Sequence, residues 1–158
     1  MVGEKAEGKG GKQMSYFKDV DTYVVIAKSS ELLDRGEYEK AIQSINDAHA
    51  ISPPMEGLES SAPMMLAKAY RGLGDIDRAL IEIKKAYDLD RKTRSEKYFG
   101  FAVFILEEFI YLLEIKGNHD DEELFLLRRE LSEINAALEI NKNKSIISKF
   151  KNFLFSNK

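Results

Sequence analysis

The chain has no cysteine, no tryptophan, only two histidines and only three prolines in 158 residues. Without cysteine there is no disulfide, no zinc-thiolate site and no cysteine nucleophile, although the redox compartment stays open. Neither His49 nor His119 has a carboxylate three residues before it, so the Glu-x-x-His pairs of helical di-iron sites are missing. His49 reads as a residue on a helix face and His119 as part of a turn. No cofactor, metal or catalytic residue is implied, because no nucleophile, base and orienting group can be assembled. The expectation is a protein that is not an enzyme.

Long apolar runs are lacking too. The longest tract, Phe99 to Ile115, is interrupted by Glu107, Glu108 and Glu114, which would be costly inside a bilayer. It reads as a buried helix. The opening MVGEKAEGKGGKQM has no apolar core of a secretory signal, so cytoplasmic residence is the default expectation. Its GEKAEGKG has the GxxxxGK spacing of a phosphate loop, but no Ser or Thr follows and no strand precedes it. Charge of one sign is also scarce. A net charge of -3 with 32% charged residues points to neither nucleic acid nor a strongly acidic ligand as the main partner.

What the chain does have is internal repetition. Gly36 lies five residues before Ala41, nine before Ile45, twelve before Ala48 and fifteen before Ile51. Gly74 stands at the same distances from Ala79, Ile83, Ala86 and Leu89. Tyr38 matches Ile76, and Leu32 matches Tyr70. Self-similarity at a fixed offset is the signature of a stacked repeat array. Glycine after a helical run permits the left-handed conformation that lets the next helix fold back. Ala79 and Ala86, two turns apart, keep one side of a helix thin so that a neighbour approaches closely. Leu80, Ile83 and Leu89 fill the remaining space.

The whole chain then reads as all-α. Residues 1–14 are expected to be a disordered tail, 15–141 a helical repeat domain and 142–158 an amphipathic capping helix. Helix one runs from Ser15 to about Asp34, with Tyr16, Val20, Tyr23, Val24, Ala27 and Leu32 inward. Helix two spans Glu37 to Ile51 and is stopped by Pro53 and Pro54. Met55 to Ser61 forms a loop. Helix three follows from about Ala62 to Leu73, with Pro63 in its first turn. Asp75 caps helix four, which ends near Asp90. Helix five runs from roughly Thr93 to Lys116 and ends at Gly117 and Asn118. Asp120 to Glu123 crowd the start of helix six, where negative charge suits the dipole. Its Leu131, Ile134, Ala137 and Ile140 echo Ile42, Ile45, Ala48 and Ile51, but this third unit is stretched by eight residues. Asn141 to Lys144 is read as a break before a last helix.

These residues resemble the tetratricopeptide repeat. The second copy carries Leu66, Ala67, Tyr70, Gly74, Ala79, Ile83 and Ala86, in the order of that family's large and small packing positions. The first copy matches from Leu32 through Pro53, with Lys28 where the family usually has leucine. The third has Glu130 where alanine is expected. The resemblance implies an α-α superhelix of about three antiparallel helix pairs plus the C-terminal cap. It also implies a concave groove that holds a peptide or helix of another protein. In that register the groove is lined by Tyr23, Ile26 and Ser30, then Met64, Lys68 and Arg71, then Phe104, Glu107 and Tyr111. Lys68 and Arg71 would favour an acidic ligand. The lysine, asparagine and arginine clamp with which related domains grip chaperone tails is absent, its positions holding Ile26, Ser30, Met65, Phe104 and Glu108.

Two segments leave alternatives open. Helix five is apolar nearly all round, through Phe99, Phe101, Phe104, Ile105, Phe109, Tyr111, Leu112 and Ile115. Either it is buried, or Phe104 and Tyr111 are partner or homo-oligomer contacts. From Lys142 onward there are five lysines and no acidic residue. The stripe of Ile146, Ile147, Phe150, Phe153 and Leu154 suits a cap over the end of the array, which is preferred to self-assembly or a membrane surface.

Overall fold

The computed structural model describes the backbone of residues 11–51, 53–94, 101–117 and 122–155, and the side chains of 22–51, 53–94, 101–117 and 122–145. Within them the fold is all-α, with helices α1 (Gly11–Asp34), α2 (Tyr38–Ile51), α3 (Ser61–Gly72), α4 (Ile76–Thr93), α5 (Ala102–Lys116) and α6 (Glu122–Phe155). The chain divides into two compact units, one ending at Thr93 and the other beginning at Arg94. Residues 1–10, the GEKAEGKG motif, Phe99, Asn118, His119, Asp120 and Asp121 lie outside the described residues.

In the first unit, α1 packs on α2, α2 on α3 and α3 on α4, and α1 also meets α3. The turns that join each pair are the same structure built twice. Gly36 and Gly74 have φ of 73° and 78°, the left-handed region that costs other residues about 1–2 kcal/mol. The Gly36 N–H donates to the Leu33 carbonyl and the Glu37 N–H to the Leu32 carbonyl. In the second turn Gly74 donates to Arg71 and Asp75 to Tyr70. These nested bonds satisfy the last carbonyls of α1 and α3, as in a Schellman motif.

The core follows the small and large pattern. Ala41, Ile45, Ala67, Ala79, Ile83 and Ala86 are fully or almost fully buried, and Ile45, Ala62 and Met65 form a cluster against Ile26, Leu33 and Leu66. Pro63 sits in the first turn of α3, where its missing N–H has no helical partner to lose. The Met55 N–H donates to Thr22 Oγ1 at 3.2 Å, tying the loop after α2 to α1.

Several expectations are corrected. The helix starts at Gly11, four residues ahead of Ser15. On α1 Ser29 is buried and Val25, Ile26, Leu33 and the expected Leu32 are half-buried. Tyr23, Val24 and Ala27 are exposed, while the side chains of Tyr16 and Val20 lie outside the description. The run Tyr23–Ala27 is apolar throughout, so periodicity had no polar contrast from which to choose a face. Ile51, which closes the repeated pattern, is exposed at the end of α2. Residue Thr93 ends α4, and α5 begins at Ala102.

In the second unit α5 packs on α6. Ile105, Leu106, Phe109, Leu112 and Leu113 of α5 and Leu124, Leu127 and Ile134 of α6 are buried. Gly117, at φ 87°, ends α5 and donates to Glu114. Arg128 pairs with Glu114 at 2.6 Å, and Arg94 pairs with Glu130 in a mostly buried setting. That ion pair accounts for a carboxylate at a position where the repeat pattern predicts alanine. Helix α6 runs unbroken through Asn141–Lys144. No glycine or proline lies there, and lysine is a good helix former, so two asparagines cost too little to end it.

Candidate functional site

The residues assigned to a groove fall on three helices. On α1, Tyr23 is 56% exposed, Ile26 half-buried and Ser30 exposed. On α3, Met64 is only 5% exposed, while Lys68 and Arg71 are half-buried. Because α1 and α3 pack on one another, these two stripes lie on adjoining helices of the first unit. Met64 can therefore offer little surface. Lys68 has no salt-bridge partner among the described residues, and Arg71 follows it by one turn on the same face.

On α5, in the second unit, Phe104 is 56% and Tyr111 47% exposed, with Glu107 exposed between them. The open question about α5 therefore resolves into two faces. One is buried in the core and the other carries two aromatic rings at the surface, with Ile115 one turn beyond Tyr111.

A cleft missing from the sequence-based expectations lies between α1, α2 and α3. It is lined by Thr22, Val25, Ile26, Ser29, Ile45, Ala48, His49, Pro54, Ser61, Ala62 and Met65 and encloses about 40 Å³. That is room for a few waters. Its cause is the convergence of small residues, Ser29, Ala48, Ser61 and Ala62, from three helices. The Ser29 hydroxyl is fully buried and has no hydrogen-bond partner among the described residues. His49 is itself exposed, as expected for a helix-face residue.

Local electrostatics is structural. Asp75 Oδ1 accepts the Arg78 N–H at 3.0 Å, and Oδ2 accepts from its guanidinium at 2.5 Å. Those bonds, the backbone one first, hold the Asp75 carboxyl below the usual range. Arg78 also lies 4.7 Å from the centre of the Tyr70 ring, so the cap of α4 is locked onto α3. Glu37 has a lowered pKa through its hydrogen bond to Lys40. Among the described residues no cluster of three potential metal ligands occurs. No described helix is long and apolar enough to cross a membrane.

Comparison with known proteins agrees with the most regular stretch. Residues 63–93 match the tetratricopeptide repeat family, covering α3, its glycine turn and α4. No curated protein and no solved structure matches the chain. A repeat of this type in an all-helical fold is consistent in general with a protein-interaction module.

Proposed function

We propose that this chain is a protein-interaction scaffold that holds a peptide or helix of a partner protein against the α1 and α3 face of its first unit. Tyr23, Ile26 and Ser30 supply one side of the contact. Lys68 and Arg71 supply the other, over an apolar floor at Met64. The observation that carries the reading is the α3–α4 hairpin, which matches a tetratricopeptide repeat and places two cations one turn apart on the helix that adjoins α1. Half-buried cations near apolar surface are strengthened electrostatically by partial removal from water, so an acidic segment is the favoured ligand. The aromatic face of α5, with Phe104, Glu107 and Tyr111, is a second contact surface of the same scaffold.

The test is affinity capture with the intact chain and with Lys68→Glu plus Arg71→Glu, followed by mass-spectrometric identification. A control reverses Lys84 and Lys92 on α4. The reading expects acidic partners that the intact chain and the control retain and the groove variant loses by at least about tenfold. Equal recovery by all three removes the assignment.

A further inference from the structure

The lining of the cleft in the first unit passes from exposed to closed residues. His49 is exposed, Thr22 and Pro54 are half-buried, and Ile45 and Ser29 are shut off from solvent. The cleft therefore opens beside Thr22 and ends at Ser29, two helical turns or about 10 Å further along α1. Its enclosed volume of about 40 Å³ takes three or four non-hydrogen atoms at roughly 10–15 Å³ each.

The walls are held by the fold. At the mouth the Met55 N–H donates to Thr22 Oγ1, and at the start of α3 the Ser61 hydroxyl donates to the Leu58 carbonyl at 2.6 Å. Ile45, Ala62 and Met65 belong to the core cluster. A site formed in advance loses little freedom when it is filled.

The lining also selects a chemistry. No lysine, arginine, aspartate or glutamate lines the cleft, so nothing there compensates a charged ligand for the water it leaves. Thr22 and Ser61 are engaged in the protein's own hydrogen bonds. Inside the rim that leaves the Ser29 hydroxyl, buried and without a partner among the described residues. Water fills such a space poorly, because it needs two to four polar partners. An aliphatic alcohol suits it better. Its carbons lie against Val25, Ile26, Ala48 and Met65, and its hydroxyl gives or takes the bond that Ser29 lacks. Reaching that hydroxyl takes a turn of the serine side chain about its single torsion, beside Met65, whose unbranched chain adapts readily.

We propose that the cleft between α1, α2 and α3 is a binding site for a small, uncharged aliphatic alcohol of about three carbons, anchored by Ser29 and independent of Lys68 and Arg71. A hydroxyl that destabilises the empty chain then has a use in the filled one.

The experiment is a titration of the isotope-labelled full chain with 1-propanol, followed in methyl NMR spectra. It is repeated with propylammonium, which is of similar length but charged. Three variants are compared: Ser29→Ala removes the anchor and keeps the shape, Ala48→Leu fills the cleft, and Ala50→Leu adds the same bulk on the exposed side of α2. Circular dichroism checks that each is folded, and Ser29→Ala alone decides if Ala48→Leu is not. The proposal expects saturable shifts at the methyls of Val25, Ile26 and Ile45 with Ile81 unmoved, and no binding of propylammonium. Affinity for 1-propanol should fall about two- to tenfold in Ser29→Ala, the worth of one neutral hydrogen bond. It should vanish in Ala48→Leu and stay unchanged in Ala50→Leu. Shifts that rise without saturation, that reach Ile81 equally, or that are the same in Ser29→Ala overturn the proposal, as does equal binding of propylammonium.

Discussion

The tightest constraint at the residue scale is a contact that the repeat pattern does not announce. A Cβ placed on Gly72 would clash with the Tyr38 ring, so the aromatic residue that follows the first glycine turn rests directly on the backbone of α3. Gly72→Ala should destabilise the fold by about 1–3 kcal/mol through overpacking, measured by urea unfolding. In a Tyr38→Ala background the sign should reverse, because alanine is then favoured in a helix over glycine by roughly 0.5–1 kcal/mol. Destabilisation of the same size in both backgrounds would show that the ring is not the cause. The Ser29 hydroxyl is a converse case, since it is buried without a described partner. Ser29→Ala should raise stability by about 1 kcal/mol by removing an unsatisfied polar group. A loss instead would place an ordered water in the cleft.

Asp75 carries the pH dependence at this scale. Its pKa is depressed in the folded chain, so its contribution is present above the unfolded value and is lost as pH falls through the folded one. The window therefore lies below about pH 4. Asp75→Asn should flatten the acid limb of a stability profile there and leave its neutral-to-basic part parallel to that of the intact chain. Tyr38 and Gly72 could not have been paired from sequence, because their contact spans two repeat units and Gly72 has no glycine counterpart in the first copy. The Asp75 cap could be, since a capping residue at a glycine turn has a local physical cause.

Among elements, the two helix hairpins of the first unit were legible because their turns obey backbone rules that few residues satisfy. Gly36 and Gly74 terminate helices in the same way, and the alanines they position are buried as the spacing requires. Gly74→Ala should cost about 1–2 kcal/mol, read from the shift in denaturation midpoint at constant slope. Glu130→Ala should cost about 1–3 kcal/mol, because it leaves the mostly buried Arg94 without its carboxylate. Legibility failed where residue types lack contrast. The spacing misplaces the face of α1 across an apolar run and divides α6 at Asn141–Lys144, where four polar residues in a row read as a break. Neither glycine nor proline marked that point, and the backbone continues.

For the whole molecule, the all-helical class and the repeat at residues 63–93 rest on the same residues in sequence and structure. The candidate contact face was legible only by resemblance. Lysine at position 68 and arginine at 71 have no local signature that separates a ligand contact from a solvated charge. What the fold adds is that their helix adjoins α1, that Met64 is nearly closed to solvent, and that α5 exposes Phe104 and Tyr111. Division into two compact units has its own consequence. A fragment ending at Arg94 keeps the cluster of Ile45, Ala62 and Met65 and should remain helical with one cooperative melt, followed by circular dichroism. A broad, non-cooperative melt would mean that the first core depends on the second unit.

The most direct test of the scaffold is the capture experiment carried to a binding curve. An acidic peptide segment from a captured partner is titrated into the intact chain, the Lys68→Glu plus Arg71→Glu variant and the Lys84→Glu plus Lys92→Glu control by isothermal calorimetry. Saturable one-to-one binding that survives in the control and weakens at least about tenfold in the groove variant is the predicted result. Indistinguishable curves for the intact chain and the groove variant would contradict it.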